Sequence, residues 1–300
     1  MLDKIVAFFL AIILFFCNLF GIEYKGEIIT ETENSFYFQN LGYGSHERQK
    51  LDLYIPKNSG DEVGLILMIH GGAWVAGDKS AYRDVIKTWA DKGYAAATIN
   101  YRYLDYDVSF DDILDDIDSA LHKIKATGAE YNANITKMIL SGHSAGGHLS
   151  MLYPYARGES SPIEAVAICN YSGPTDLLDP NFYNENASAE LKELFRQIAS
   201  LVYGENLSLE NAHLANDLLK KYSPLYYVDE ATIPTVINHG TKDEIVPFSN
   251  ALSLEAKFKE LGVTHIMNVF PNSGHGLESD PDAMAKADEY FELYAETYLK

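Results

Sequence analysis

The chain is predicted to be an α/β protein: a mostly parallel central sheet with helices on both faces and an inserted cap region over 174–224. Three observations lead there. Short apolar runs alternate with amphipathic stretches from about Phe36 onward, the layout of strands joined by crossover helices. Some runs, such as 65–69, are apolar throughout, as strands covered on both faces are. Finally, 300 residues at 47% hydrophobic content suffice for one large core, with no internal repeat to suggest a solenoid.

The elements follow in order. Residues 51–55 alternate with period two, the mark of a half-buried strand. A strand over 65–69, a helix over 82–92 and a buried strand over 94–99 come next. Over 110–125, Ile113, Leu114, Ile117, Leu121 and Ile124 recur at helical spacing. Asp111, Asp112, Asp115, Asp116 and Asp118 lie between them and read as a wet face and first-turn dipole partners rather than a metal site. Strand 138–140, helix 145–155 and strand 163–169 repeat the unit, with Cys169 a small core residue. Residues 174–224 break the rhythm with Pro, Asn and Tyr, and helices are expected over 189–203 and 209–222. A cap over the carboxyl edge of the sheet has this pattern, and so has a connection that simply packs. Strand 235–238, helix 249–261, strand 265–270 and helix 283–299 complete the chain.

A net charge of −20 argues against nucleic acid and anionic lipid headgroups as partners of the globule. Two cysteines, Cys17 and Cys169, cannot build a disulfide framework. At the N-terminus Lys4 precedes an apolar run over 5–22 interrupted only by Asn18. Residues 1–25 therefore read as a signal peptide or a membrane anchor. No clean small-x-small cleavage site follows, and Phe15-Phe16 before Cys17 make a poor lipoprotein box. Either reading places a domain over 26–300 outside the cytoplasm, secreted or anchored, with membrane contact only through that segment.

The chemistry concentrates in four places. Gly142-His143-Ser144-Ala145-Gly146 sits between an expected strand and an expected helix, where flanking glycines permit a sharp turn that exposes the serine hydroxyl. His70-Gly71-Gly72-Ala73-Trp74 follows the buried strand 65–69. There the N–H groups of Gly71, Gly72 and Ala73, with that of Ala145, form a candidate oxyanion hole. His70 precedes the turn and reads as a tie for the loop. A serine needs a base, and the base an orienting acid, in the order serine, acid, histidine. His275, flanked by Gly274 and Gly276 after the last expected strand, fits the base. Asp243, in the loop after 235–238 and His239, fits the acid, with Glu244 as the alternative.

These residues resemble the α/β-hydrolase fold, in particular the carboxylesterase and lipase branch with an HGG-type oxyanion motif, and within it feruloyl and acetyl-xylan esterase-like hydrolases. Gly77-Asp78-Lys79, Asn100-Tyr101-Arg102-Tyr103, Ser172-Gly173-Pro174-Thr175-Asp176-Leu177 and Ser223-Pro224 extend the likeness from about Lys50 to the C-terminus. Ala73 departs from it where many relatives carry a third glycine. The resemblance implies a serine ester hydrolase with Ser144 as nucleophile, His275 as base and Asp243 as orienting acid. Its substrate would be a short-chain or carbohydrate-linked ester. Trp74, beside the oxyanion loop, is a candidate substrate contact. No metal-ligand spacing, phosphate loop or dinucleotide fingerprint occurs, so no metal or cofactor is expected. Two other readings remain open: an amide hydrolase of peptidase or formamidase type, and a catalytically inactive binding module.

Overall fold

A computed structural model describes residues 26–57 and 62–300. The expectation for residues 1–25 lies outside them, as does Cys17. Among the described residues nine strands form one sheet in the order β1-β2-β3-β5-β4-β6-β7-β8-β9. β1 (Ile28–Glu31), β2 (Ser35–Gly42) and β3 (Lys50–Pro56) are antiparallel to their neighbours. From β4 (Leu65–Ile69) and β5 (Ala95–Ile99) through β6 (Lys137–His143), β7 (Glu164–Tyr171), β8 (Thr235–Gly240) and β9 (His265–Phe270), all pairings are parallel.

Helices cover both faces, because a parallel sheet needs a crossover of one hand between each pair of strands. On one face α1 (Arg83–Asp91) and α7 (Pro281–Tyr298) bury Ile86, Trp89, Phe291 and Tyr294 against Ile66, Met68, Ile139 and Cys169. On the other, α2 (Phe110–Glu130) and α3 (Ala145–Arg157) pack Ile113, Ile117, Leu149 and Leu152 onto Leu65, Leu67 and Leu140. Cys169 is completely buried, and burial holds its thiol well above the ordinary range, as a core residue requires.

Between β7 and β8 the chain forms α4 (Ala189–Tyr203) and α5 (Asn216–Lys221) with three short 3₁₀ turns. The single helix expected over 209–222 is thus a 3₁₀ turn, Ala212–Ala215, followed by the short α5. Asn211 and Asn216 flank that turn, and asparagine competes with helical hydrogen bonding. α6 (Ser249–Leu261) closes the last crossover.

The aspartates of α2 are less wet than their spacing implied. Asp112 forms a capping box with Ser109. Asp116, however, is fully buried and accepts both from the Arg102 guanidinium, 2.9 Å away, and from Gln49. Asp111 pairs with Lys221 and Asp118 accepts from Tyr153. Spacing identifies the helix; which of its polar positions meet a neighbouring segment depends on tertiary contact.

The strand order positions the site. From β4 the chain steps outward to β5, then returns across β4 to β6 and continues the other way. The carboxyl ends of β4 and β6 therefore flank a crevice where connections leave in opposite directions, the place where ligands bind in open α/β sheets.

Candidate active site

Ser144 stands at the tip of this crevice, between the last residue of β6 and the first of α3, with φ 58° and ψ −123°. An L-residue adopts that conformation only where the surroundings enforce it. Its N–H donates to Tyr171 O at 2.9 Å and its carbonyl accepts from His148 N at 3.0 Å, tying both sides of the turn to neighbours. A Cβ on Gly146 would collide with the Ile69 carbonyl oxygen, so this position must be glycine for α3 to start so close to β4.

The segment after β4 folds back on itself. Val75 N and Ala76 N donate to Gly72 O at 3.1 and 2.9 Å, and Gly72, Ala73 and Trp74 all have positive φ, of 114°, 50° and 64°. Ala73 thus holds the left-handed conformation that glycine would adopt without strain. The loop lies against the serine: a Cβ on Gly71 would come within 2.7 Å of His143 O and 3.4 Å of Ser144 Cβ.

His70 is buried beneath this loop, stacked on Tyr101 with ring centroids 4.4 Å apart. Gly71 O, 2.7 Å from Nδ1, can only accept, so Nδ1 carries the proton. Nε2 then accepts from Arg48, 3.2 Å away, whose guanidinium also donates to Gly77 O at 3.1 Å and Tyr101 O at 2.8 Å. Arg48 therefore clasps both ends of the loop, a role that no local pattern announced because it arrives from the β2–β3 connection.

Asp243 and His275, the expected acid and base, lie in the loops after β8 and β9. Asp243 Oδ2 accepts from His275 Nδ1 at 2.8 Å, whereas Glu244 is exposed. The second carboxylate oxygen accepts from Ile245 N and Val246 N at 2.9 and 2.8 Å. His239 Nε2 lies 3.3 Å from Oδ2 and 2.9 Å from Val246 O, so this buried ring backs the carboxylate rather than opening to the crevice. Burial alone would raise the Asp243 pKa. The hydrogen bonds from His239, His275 and Val246 outweigh it and hold the carboxyl well below its usual range.

His143 Nε2 donates to His275 O at 2.7 Å, and the two rings lie 4.6 Å apart. The residue before Ser144 thus holds the loop that carries His275. Asp280 braces the same loop from below, accepting from Asn272 N at 2.8 Å and Ser273 Oγ at 2.7 Å.

Trp74 is almost fully buried and forms part of a cavity wall with Ala73 and Ser144. Its indole N–H donates to His148 Nδ1 at 3.2 Å, and His148 Nε2 in turn donates to Tyr222 O at 2.7 Å. Trp74 therefore offers the cavity hydrocarbon and no free donor. His148, one helical turn beyond Ser144, carries no motif signal and matters through this contact.

His70 and His148 both have pKa values lowered from 6.5 to about 4, first by burial. The unfolded chain takes up these protons before the folded one does. Their contribution is therefore complete above about pH 6.5 and is lost as pH falls toward 4, about 3 kcal/mol for each. Urea unfolding at pH 7.5, 5.5 and 4.5 should show this decline, and a shallower slope in His148→Gln is expected. An unchanged slope would mean that His148 is not buried as a neutral ring.

Comparison with known proteins accords with this geometry. Solved structures of similar shape include esterase B from Lactobacillus rhamnosis, with TM-score 0.70 and 18% identity over 99% of this chain and 94% of that one. A carbohydrate esterase from gut microbiota aligns with TM-score 0.68 and 21% identity, over 88% of this chain and 98% of that one. With the strand order, these place the chain in the α/β-hydrolase fold. Among curated proteins, a probable isoprenylcysteine alpha-carbonyl methylesterase of Arabidopsis thaliana is 25% identical over 250 residues, 79% of this chain and 50% of its own length. Esterase LipC of Mycobacterium tuberculosis is 22% identical over 248 residues, 79% of this chain and 59% of its own length. The chain spans about half the length of the curated relatives it matches. A family model described as BD-FAE matches residues 51–258, from β3 into α6, a span that contains Ser144 and Asp243 and ends before His275. On that match, over more than half of its length, the chain belongs to the BD-FAE family.

Proposed function

We propose that the protein is a serine-dependent carboxylic-ester hydrolase acting on short-chain or carbohydrate-linked esters. The observation that carries this reading is the pair of features at one crevice: Ser144 at φ 58° on the turn from β6 to α3, and the Asp243–His275 contact of 2.8 Å beside His143. In this mechanism Ser144 Oγ attacks the ester carbonyl while His275 Nε2 takes its proton. Asp243 accepts from Nδ1, fixing the tautomer and stabilising the imidazolium that forms. The developing oxyanion meets the N–H of Ala145, which at the first position of α3 has no intrahelical acceptor, and those of the Gly71–Ala73 turn. His275 returns the proton to the departing alcohol, and water repeats the sequence to release the acid.

The hydrogen bonds of Arg48 and His70 support this assignment, since an oxyanion site works only if its donors do not reorganise. The apolar run before residue 26 adds an extracytoplasmic location to the proposal. A fluorophosphonate probe should label Ser144, and p-nitrophenyl acetate should be turned over faster than aminoacyl or formamide substrates. Labelling with turnover confined to amides would replace the ester reading by the amide one. An unlabelled, folded protein would point to a binding module.

A further inference from the structure

The carboxyl edge of the parallel strands carries more than the crevice, because β1 begins there as well. Ile28 pairs with Gln39, Gly42 with Lys50 and Leu51 with Ile99, the last residue of β5, so successive antiparallel pairings bring the start of β1 to that edge. Gly26 O accepts from Asn40 Nδ2 at 3.3 Å, and Asn40 Oδ1 accepts from Lys79 Nζ at 2.7 Å. The chain therefore enters the globule beside the far end of the loop that carries Ala73. Only Glu23, Tyr24 and Lys25 separate Gly26 from the apolar run over 5–22, a reach of at most about 14 Å.

The same edge exposes apolar side chains and the opposite edge does not. Val75, Tyr106, Tyr183, Leu209, Leu214 and Ile245 are all exposed, and all stand on connections that leave the carboxyl ends of β4, β5, β7 and β8. Among the described residues, the connections at the other edge, such as 92–94, 131–136, 158–163 and 262–264, expose no large apolar side chain. Single exposed apolar residues need no explanation, but their confinement to one edge of a sheet does.

We infer that this edge lies against a zwitterionic lipid bilayer in which the run over 5–22 is anchored, and that the site takes esters presented at that bilayer surface. The inference rests on the ester-hydrolase reading of Ser144 and on the anchor reading of residues 1–25. It extends membrane contact from the N-terminal segment to the globule itself and names where the substrate is met.

The tether and the apolar side chains do different work. Ser144 follows β6, five strands from β1 and about 24 Å along the edge, so a short tether at Gly26 fixes only one corner. The exposed side chains spread along the edge hold the rest of it down, since each gains by leaving water for the boundary between headgroups and acyl chains. Charge selects the kind of lipid. Asp105, Asp107 and Glu244 are exposed on the same edge, and anionic headgroups would repel them.

The test uses the full chain in phosphatidylcholine vesicles that carry a nitroxide-labelled lipid. With Cys17→Ser, one introduced thiol bears a fluorophore: Tyr106→Cys on the crevice edge, or Glu159→Cys in the turn between α3 and β7 on the other. Cys169 is fully buried and stays unlabelled. The label at 106 is expected to be quenched several-fold more than the label at 159, since the two edges face each other across a globule roughly 50 Å wide. Equal quenching, stronger quenching at 159, or a chain that does not stay with the vesicles would overturn the inference. Phosphatidylglycerol vesicles should quench the label at 106 less, and equal or stronger quenching there would overturn the choice of lipid. A fluorophosphonate carried on a lipid, by a linker too short to cross the globule, tests the substrate half. It should label Ser144 about 10²-fold faster within the same vesicles than from separate ones. Labelling by a soluble fluorophosphonate but not by the lipid-borne one would overturn the inference and leave the hydrolase reading standing. No labelling by either probe would overturn the nucleophile and the substrate half together, and the quenching would still decide the orientation.

Discussion

Ser144→Ala is expected to lower kcat/KM for p-nitrophenyl acetate by at least about 10⁴-fold while leaving thermal unfolding nearly unchanged. The two halves of this expectation have different causes. Activity falls because the attacking oxygen is gone, and the Asp243–His275 pair then has no proton to accept. The fold persists because the Ser144 contacts that secure the turn are made by its backbone, through Tyr171 O and His148 N, and alanine keeps both. Alanine also bears the same strain at φ 58°, so no relief is expected. Ser144→Gly should be equally inactive yet more resistant to heat, since glycine occupies that region freely. Paired kinetics and calorimetry on the two variants check both halves. Activity within tenfold of wild type in Ser144→Ala would place the nucleophile elsewhere.

The largest loss of stability is expected from Asp52→Ala. Asp52, on β3, has a fully buried side chain, and Lys79 Nζ is 2.6 Å from Oδ1 and only 3% exposed. Arg83 Nε approaches Oδ2 at 2.9 Å and the Asn40 N–H donates to Oδ1 at 2.8 Å. Removing the carboxylate leaves a buried ammonium whose other acceptor is the amide oxygen of Asn40, 2.7 Å away. Breaking such a pair from one side costs about 3–5 kcal/mol. For a domain of this size that corresponds to a fall of roughly 10 °C in Tm. Differential scanning calorimetry measures it directly. Asp91→Ala, which removes an exposed partner of Lys87, should leave the transition where it is. A loss below about 1 kcal/mol for Asp52→Ala would mean that water reaches Lys79 once the carboxylate is gone.

The same network gives Gly77-Asp78-Lys79 a physical role. Lys79 N donates to Asn100 Oδ1 at 2.6 Å, and Asn100 Nδ2 donates to Asp78 Oδ2 at 2.7 Å. The far end of the loop that carries Ala73 is thereby fastened to the ends of β3 and β5. Residues that resemble a family pattern without touching the crevice still serve the site, by holding its backbone still.

Strand and helix positions were legible because burial imposes a period that survives in one dimension. Residues 65–69 and 265–270 emerge as strands with the bounds expected, and 189–203 and 249–261 as helices. β1 escaped notice because three of its four residues are exposed and carry no apolar alternation. The pairing of Asp243 with His275, 32 residues apart, could be anticipated from strand-end position, since consecutive parallel strands bring their following loops to one edge.

Linear order is thus enough for the class of fold, for the serine turn and for the loops that carry Asp243 and His275, because each depends on local backbone chemistry or on strand succession. Folding in three dimensions decides the rest: that Arg48 and His70 clasp the Gly71–Ala73 turn, that His239 backs Asp243 and His143 the His275 loop, and that α4 helps to wall an apolar cavity beside Ser144. These relations join segments distant in the chain through side chains whose direction no periodicity encodes. Their common cause is desolvation: once buried, each polar group must find a partner, and the partner is whichever segment the packing brings within reach.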